Sequence, residues 1–284
     1  MNTTRRNFLK TTGTALTSAA LISQLPFGLT SCSSAPKTFG FQVWTIREQL
    51  FQDFPGTLKK MADMGYKEVE MCSPLGYTGT FDKFKDLSGA EMRKIIEDQG
   101  LVCRSSHYNM GELRDSLENS LDWSHQMGIT QMVAASFWLP KDASIDDYRK
   151  ACNELNGIGE KTKAAGIQTV FHNHHMEFEK RGDELIYDAM LEELDPDLVK
   201  MQFQVAVVNI GYTAADYFQK HPGRFISAHL ADWSEEKKKQ VPIGQGDVYW
   251  EDFFKAAKVG GVKNFFVEMA PETFKPSAEY LLSL

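Results

Sequence analysis

The feature that most constrains the fold of this chain is an alternation of two textures, repeated eight times. Short runs rich in β-branched and aromatic residues are separated by longer runs with apolar residues at helical spacing. The strand-like runs are 39–45, 66–72, 101–107, 130–136, 168–174, 199–205, 225–230 and 264–269. The helix-like runs between and after them are 54–64, 88–99, 117–127, 145–165, 184–194, 214–221, 250–259 and 277–284. Ser88-Gly89-Ala90-Glu91 reads as a capping box at the start of one helix. Five of the helix-to-strand joints carry a glycine, at Gly65, Gly100, Gly128, Gly166 and Gly261. Glycine stops a helix there because it takes the left-handed backbone conformation without a Cβ clash. Eight strand–helix units in a body of about 250 residues predict a single α/β domain, a (β/α)8 TIM barrel spanning 38–284. A doubly wound open sheet needs a glycine-rich loop after its first strand. Here that strand runs into Trp44-Thr45-Ile46-Arg47-Glu48.

The first 32 residues have a different texture. Arg5-Arg6 precedes Asn7-Phe8-Leu9-Lys10 and a weakly apolar run over 14–25, and no acidic residue occurs before Glu48. A twin arginine ahead of a modest apolar segment is the pattern of Tat export. The apolar run is too short to span a bilayer. Leu29-Thr30-Ser31-Cys32 resembles a lipobox, with Cys32 as the acylated residue. The expectation is an export signal over 1–32, a short linker over 33–37 and a periplasmic barrel. Its contact with membrane would be a lipid anchor on Cys32. Without residues 1–31 the chain has 28 basic and 38 acidic residues, a net charge of −10. Such a surface disfavours nucleic acid and anionic lipid as partners. The other cysteines, Cys72, Cys103 and Cys152, are odd in number and lie in apolar segments. They read as small buried residues rather than a disulfide framework. Oligomeric state is left open.

In a barrel, the C-terminal ends of the strands surround the active site. Of the seven histidines, His107, His172, His174, His175 and His229 fall at such ends, with Glu70, Glu177, Asp232 and Glu268 beside them. The densest cluster is Phe171-His172-Asn173-His174-His175-Met176-Glu177-Phe178. Strand alternation puts His172 and His174 on one face. Glu268 closes an apolar strand, where a carboxylate is costly unless paired or bound to metal. His229 reads as a metal ligand, and Asp232 as a substrate contact or a partner of that ligand. Glu70 and His107 are weaker candidates for substrate binding. Trp44 is one of several aromatics near strand ends that could stack on a sugar ring. Gly244-Gln245-Gly246-Asp247, between the seventh strand and its helix, is a loop whose glycines allow close backbone approach.

Five phrases in chain order carry a family resemblance. They are His172-Asn173-His174-His175-Met176-Glu177-Phe178, His221-Pro222-Gly223-Arg224-Phe225, His229-Leu230-Ala231-Asp232, Pro242-Ile243-Gly244-Gln245-Gly246 and Val267-Glu268. Together the set resembles the sugar phosphate isomerase/epimerase group of the xylose isomerase-like barrels, over 38–284. The resemblance implies a divalent metal, manganese first and zinc or magnesium otherwise. It would be held by Glu177 (or His172), the sixth-strand position, His229 and Glu268. It also implies chemistry at a carbon next to a carbonyl. Glu177 and Glu268 would then be general base and acid or metal ligands, and His172, His174 and His107 would bind hydroxyls or shuttle protons. Two residues depart from the pattern. Gln204 stands where the family has aspartate, which keeps an oxygen donor but loses its charge and weakens the metal site. Ala231 stands where many relatives have lysine. Export places the chain away from most sugar phosphates, so a neutral sugar or keto-sugar is the expected substrate. The expected activity is isomerase or epimerase. A 3-keto-glycoside lyase or hydratase using the same enolisation is the alternative. A non-catalytic sugar-binding lipoprotein is the alternative of a different class.

Overall fold

The computed structural model describes Pro36 and residues 38–284. The export signal, the Cys32 lipobox and, apart from Pro36, the linker lie outside the described residues. Eight parallel strands close on themselves: β1 Gly40–Gln42, β2 Glu68–Cys72, β3 Val102–Tyr108, β4 Gln131–Ala134, β5 Gln168–His172, β6 Val199–Gln204, β7 Phe225–Leu230 and β8 Asn264–Val267. The cylinder closes because Gly40 pairs with Glu68 on one side and with Phe266 on the other. A Cβ at Gly40 would lie 2.5 Å from a ring carbon of Phe266, so only glycine lets these two strands meet.

The eight expected strands and eight expected helices are present, most with ends shifted by a few residues. Ser88 and Glu91 form the reciprocal capping box. The five joint glycines all have positive φ, between 76° and 106°. Outward-facing strand residues pack through aromatics against the helical ring and the joints that lead from it. Phe41 meets Tyr66 at 5.6 Å, Phe203 meets Phe218 at 5.8 Å and Phe265 meets Phe254 at 5.4 Å. This layer between sheet and helices is the main apolar core.

Alternation sends the opposite set of side chains inward, and that set is mostly polar, with Val133, Val170 and Phe266 as its apolar members. Near the N-terminal end of the barrel, Gln131 donates to Asn264 (2.7 Å) and Asn264 donates to Glu68 (3.0 Å). Above them come Glu70, Ser105, Gln202 and Ser227, and then the histidines.

The structure adds elements that the sequence pattern does not announce. Helices cover Arg47–Gln52 and Met110–Asp115. Glu184–Leu185, expected to start a helix, pairs instead with Lys180–Arg181 in a hairpin. Asp232–Ser234 and Lys239–Val241 form a second hairpin above β7.

Candidate active site at the C-terminal mouth

The site is a hydrogen-bonded column that rises from the barrel interior to its mouth. At its base Glu70 is completely buried. One of its oxygens accepts from Ser105 Oγ (2.6 Å) and Gln202 Nε2 (2.8 Å), and Gln202 also donates to Ser227 Oγ at 3.0 Å. The other oxygen meets His107 Nε2 at 3.0 Å and His229 Nε2 at 2.5 Å. His229 spans the next level, its Nδ1 lying 2.9 Å from Glu268 Oε2. Gln204 Nε2 donates to the same Glu268 oxygen at 2.7 Å.

An imidazole with a carboxylate at each nitrogen is best served by carrying two protons. Burial alone would lower the His229 pKa, but the charges of Glu70 and Glu268 raise it to about 9. Burial works against ionised Glu70 too, and the flanking His107 and His229 outweigh it and hold its carboxyl far below the usual range. Glu70 and Glu268 thus hold a positive charge on His229 between them.

His172 and His174 complete the cluster. The His172 ring lies 4.4 Å from that of His229 and 4.8 Å from that of His174. Burial first, and then the neighbouring histidines, push the His172 pKa well down. Burial lowers His174 to about 4. Both rings are therefore neutral near pH 7. The Nδ1 atoms of both are buried without a hydrogen-bond partner.

Those orphaned nitrogens test the fit of a metal. His107, His172 and His229 bring ring nitrogens within 4.8 Å of one another, and this buried group could bind a cation. The carboxylates of Glu70 and Glu268 on either side of His229 favour one, and a cation bound at His229 would displace its proton. The donors that fit are the ring nitrogens of His107, His172 and His229, with Glu268 next to them at 2.9 Å from His229 Nδ1. Imidazole with carboxylate suits zinc, manganese or iron.

Several expected residues lie elsewhere. Glu177 is buried in the turn after β5, where its Oε2 accepts the backbone N–H of His174 at 2.7 Å. Burial raises its pKa to about 7. It braces the loop, and among the described residues it is not part of the group whose donor atoms lie within 4.8 Å of one another. Asp232 is likewise turned inward. Its two oxygens accept from the N–H groups of Trp233, Gly244, Gly246 and Val248 and from the Trp250 indole, at 2.9–3.3 Å. A Cβ at Gly246 would lie 2.2 Å from that carboxylate, so Asp232 organises the glycine loop rather than facing a substrate. Glu70 and His107, expected to touch substrate, sit beneath the site and hold His229 from below. His174 and Trp44 are at the mouth, Trp44 being 38% exposed. Gln202, which ties Glu70 to His107 and Ser227, has no counterpart among the sequence expectations. The alternation Gln202–Gln204 on one strand face was the available signal.

Fold and site together define a class: the chain belongs to the xylose isomerase-like TIM barrel family, whose model matches residues 58–284. Among solved structures it is similar to a sugar phosphate isomerase/epimerase from Parabacteroides distasonis ATCC 8503. The two are 25% identical, with 89% of this chain and 96% of that one covered at a TM-score of 0.73. It shares its fold with the probable 3-DHS dehydratase of Bacillus anthracis (12% identity, 86% and 98% covered, TM-score 0.65). It also shares it with a Mycobacterium smegmatis barrel in complex with magnesium (14%, 88% and 97%, 0.61). No curated protein gives a significant match.

Proposed function

We propose that this protein is a sugar isomerase or epimerase that removes a proton next to the carbonyl of a neutral sugar or keto-sugar. The observation that carries the reading is the column Glu70–His229–Glu268–Gln204, which ends at the mouth. Glu268 is its reachable end: its side chain is 17% exposed, whereas Glu70 and His229 are fully buried. A carboxylate so placed can take a proton from a bound sugar. Neutral His174 nearby can accept or return one, or bind a hydroxyl. A divalent metal, manganese as the first choice, would supply polarisation of the carbonyl oxygen. An export signal would place the chain away from most sugar phosphates, which favours an uncharged substrate.

The same enolisation gives a lyase or hydratase on a 3-keto-glycoside when a β-substituent leaves. The groove described below has room for such a leaving group and favours keeping this second outcome. The export pattern completes the proposal: a Tat-exported, periplasmic protein anchored through Cys32 and acting on carbohydrate.

The test is proton–deuterium exchange by NMR on a panel of neutral keto-sugars and glycosides, with and without manganese. Exchange at a carbon next to a carbonyl is expected, and Glu268→Ala abolishes it together with stoichiometric metal. Absence of exchange on every sugar with metal-loaded protein refutes the enzymatic reading and leaves a sugar-binding lipoprotein.

A further inference from the structure

Beside the histidine cluster, a groove of about 530 Å³ runs across the loops that follow β1 to β4. Its aromatic wall is Trp44, Tyr77, Phe137 and Trp138, and its polar side includes Asn109 and Arg114. Trp138 stands out. It is 60% exposed, although indole is among the costliest side chains to leave in water. Its φ is +51°, a conformation that bulky residues avoid. The Ser136 hydroxyl holds it there, accepting the Trp138 N–H at 3.1 Å. A strained backbone that presents a bare indole rather than burying it marks a position kept for a ligand.

The groove continues into the site. The Trp138 ring lies 6.1 Å from His174, whose ring is 4.8 Å from His172. Tyr77 flanks the other side, its ring 6.0 Å from Trp44. Burial and the nearby carboxylates, Glu112, Glu70 and Glu268 among them, keep its hydroxyl protonated. Arg114 is fixed in the polar wall by two bonds to Glu154 at 2.6 and 2.7 Å. An exposed aromatic face opposite planar hydrogen-bonding groups matches a pyranose ring, which has an apolar C–H face and a rim of hydroxyls.

We infer that this groove is a second subsite, which holds the neighbouring sugar ring of a disaccharide-sized glycoside whose reacting ring sits at His174 and Glu268. This rests on the neutral-sugar reading above and narrows it from monosaccharides to glycosides. Trp138 supplies the stacking face and Tyr77 a hydroxyl between the two rings.

Calorimetric titration of the whole chain with glucose, cellobiose, maltose, sucrose and 4-nitrophenyl glucoside tests it. At least one disaccharide is expected to bind roughly tenfold more tightly than glucose, the worth of one good stacking contact. Trp138→Ala removes that preference and Trp138→Phe keeps part of it. Trp138 is largely exposed, so neither change removes core packing. Glucose binding with no disaccharide preference, or a preference that survives Trp138→Ala, overturns the subsite and spares the neutral-sugar reading. Tighter binding of 4-nitrophenyl glucoside than of every disaccharide overturns the assignment to a sugar ring. If no probe binds, the neutral-sugar reading fails and the subsite falls with it.

Discussion

Glu112 offers a sharp test of the electrostatic reasoning because its protonation is coupled to folding and lies apart from the histidine column. Its Oε1 accepts from Ser73 Oγ (2.6 Å) and Ser120 Oγ (2.8 Å), while its Oε2 is buried without a partner. Burial raises its pKa to about 7, against the pull of the two hydroxyls. An unfolded glutamate ionises near 4.5. Between these values the folded state binds the extra proton, so this group's contribution to stability falls as pH rises from 4.5 through 7. A displacement of about 2.5 units at about 1.36 kcal/mol each is worth roughly 3 kcal/mol above pH 8. Glu112→Gln keeps the shape and the acceptor for both serines and cannot ionise. At pH 5, half a unit above the unfolded value, the variant should therefore be more stable by only about 0.8 kcal/mol. At pH 8.5 the variant should be more stable by up to about 3 kcal/mol, or roughly 6–12 °C in Tm for a body of this size. Urea unfolding of both proteins at the two pH values measures the gap. Glu177 titrates in the same window, but it is common to both proteins and cancels in the difference. A gap that is the same at pH 5 and 8.5 refutes the claim that burial holds this carboxyl neutral.

Three further outcomes follow from the column. Glu70→Gln leaves His229 with one carboxylate and should cost about 3–5 kcal/mol in urea unfolding at pH 7. The metal-stripped parent should also lose stability as pH rises from 6.5 through about 9, because His229 binds its second proton more tightly folded than unfolded. A flat profile across that range in the parent contradicts the imidazolium assignment. Gln204→Asp supplies the charge that the sixth strand lacks, and its manganese affinity by calorimetry should rise by about tenfold or more. Unchanged affinity excludes this side chain as a ligand.

The barrel was legible because its signals are periodic. The run 225–230 and the helix 117–127 match the structure residue for residue, one through alternation and the other through helical spacing closed by Gly128. The misses occur where neither period has room to show. Helix Arg47–Gln52 has six residues and one buried side chain, Leu50. The hairpin after β7 turns through Glu235–Lys238, a charged run without alternation, so nothing local marks its strands. At the site, His229, Gln204 and Glu268 were readable because each lies at the end of a strand whose inward face follows from register. Glu177 was not. It sits in a 3-10 turn, and its direction is set by which backbone N–H it reaches, here that of His174. Asp232 is the same case, since the five donors around it come from a loop whose path the sequence does not state.

Glu70 shows why the interior of this barrel matters more to the site than the loops do. TIM barrel interiors are usually filled by branched apolar side chains, which pack well and hold nothing in orientation. Here a buried charge is kept, at a desolvation cost that its histidine and hydroxyl partners must offset. What the cost secures is direction. His229 is fixed at one nitrogen by a carboxylate that is itself fixed by Ser105 and Gln202, so the ring has one orientation before anything binds. That ring and Gln204 then place Glu268, the group at the surface of the site. Positions three strands apart are thereby coupled through shared atoms. Changes to Ser105 or Gln202, neither of which reaches the mouth, should alter the site nearly as much as changes to Glu268 itself. A barrel built this way gains preorganisation from its core, and its loops are left free to choose the substrate.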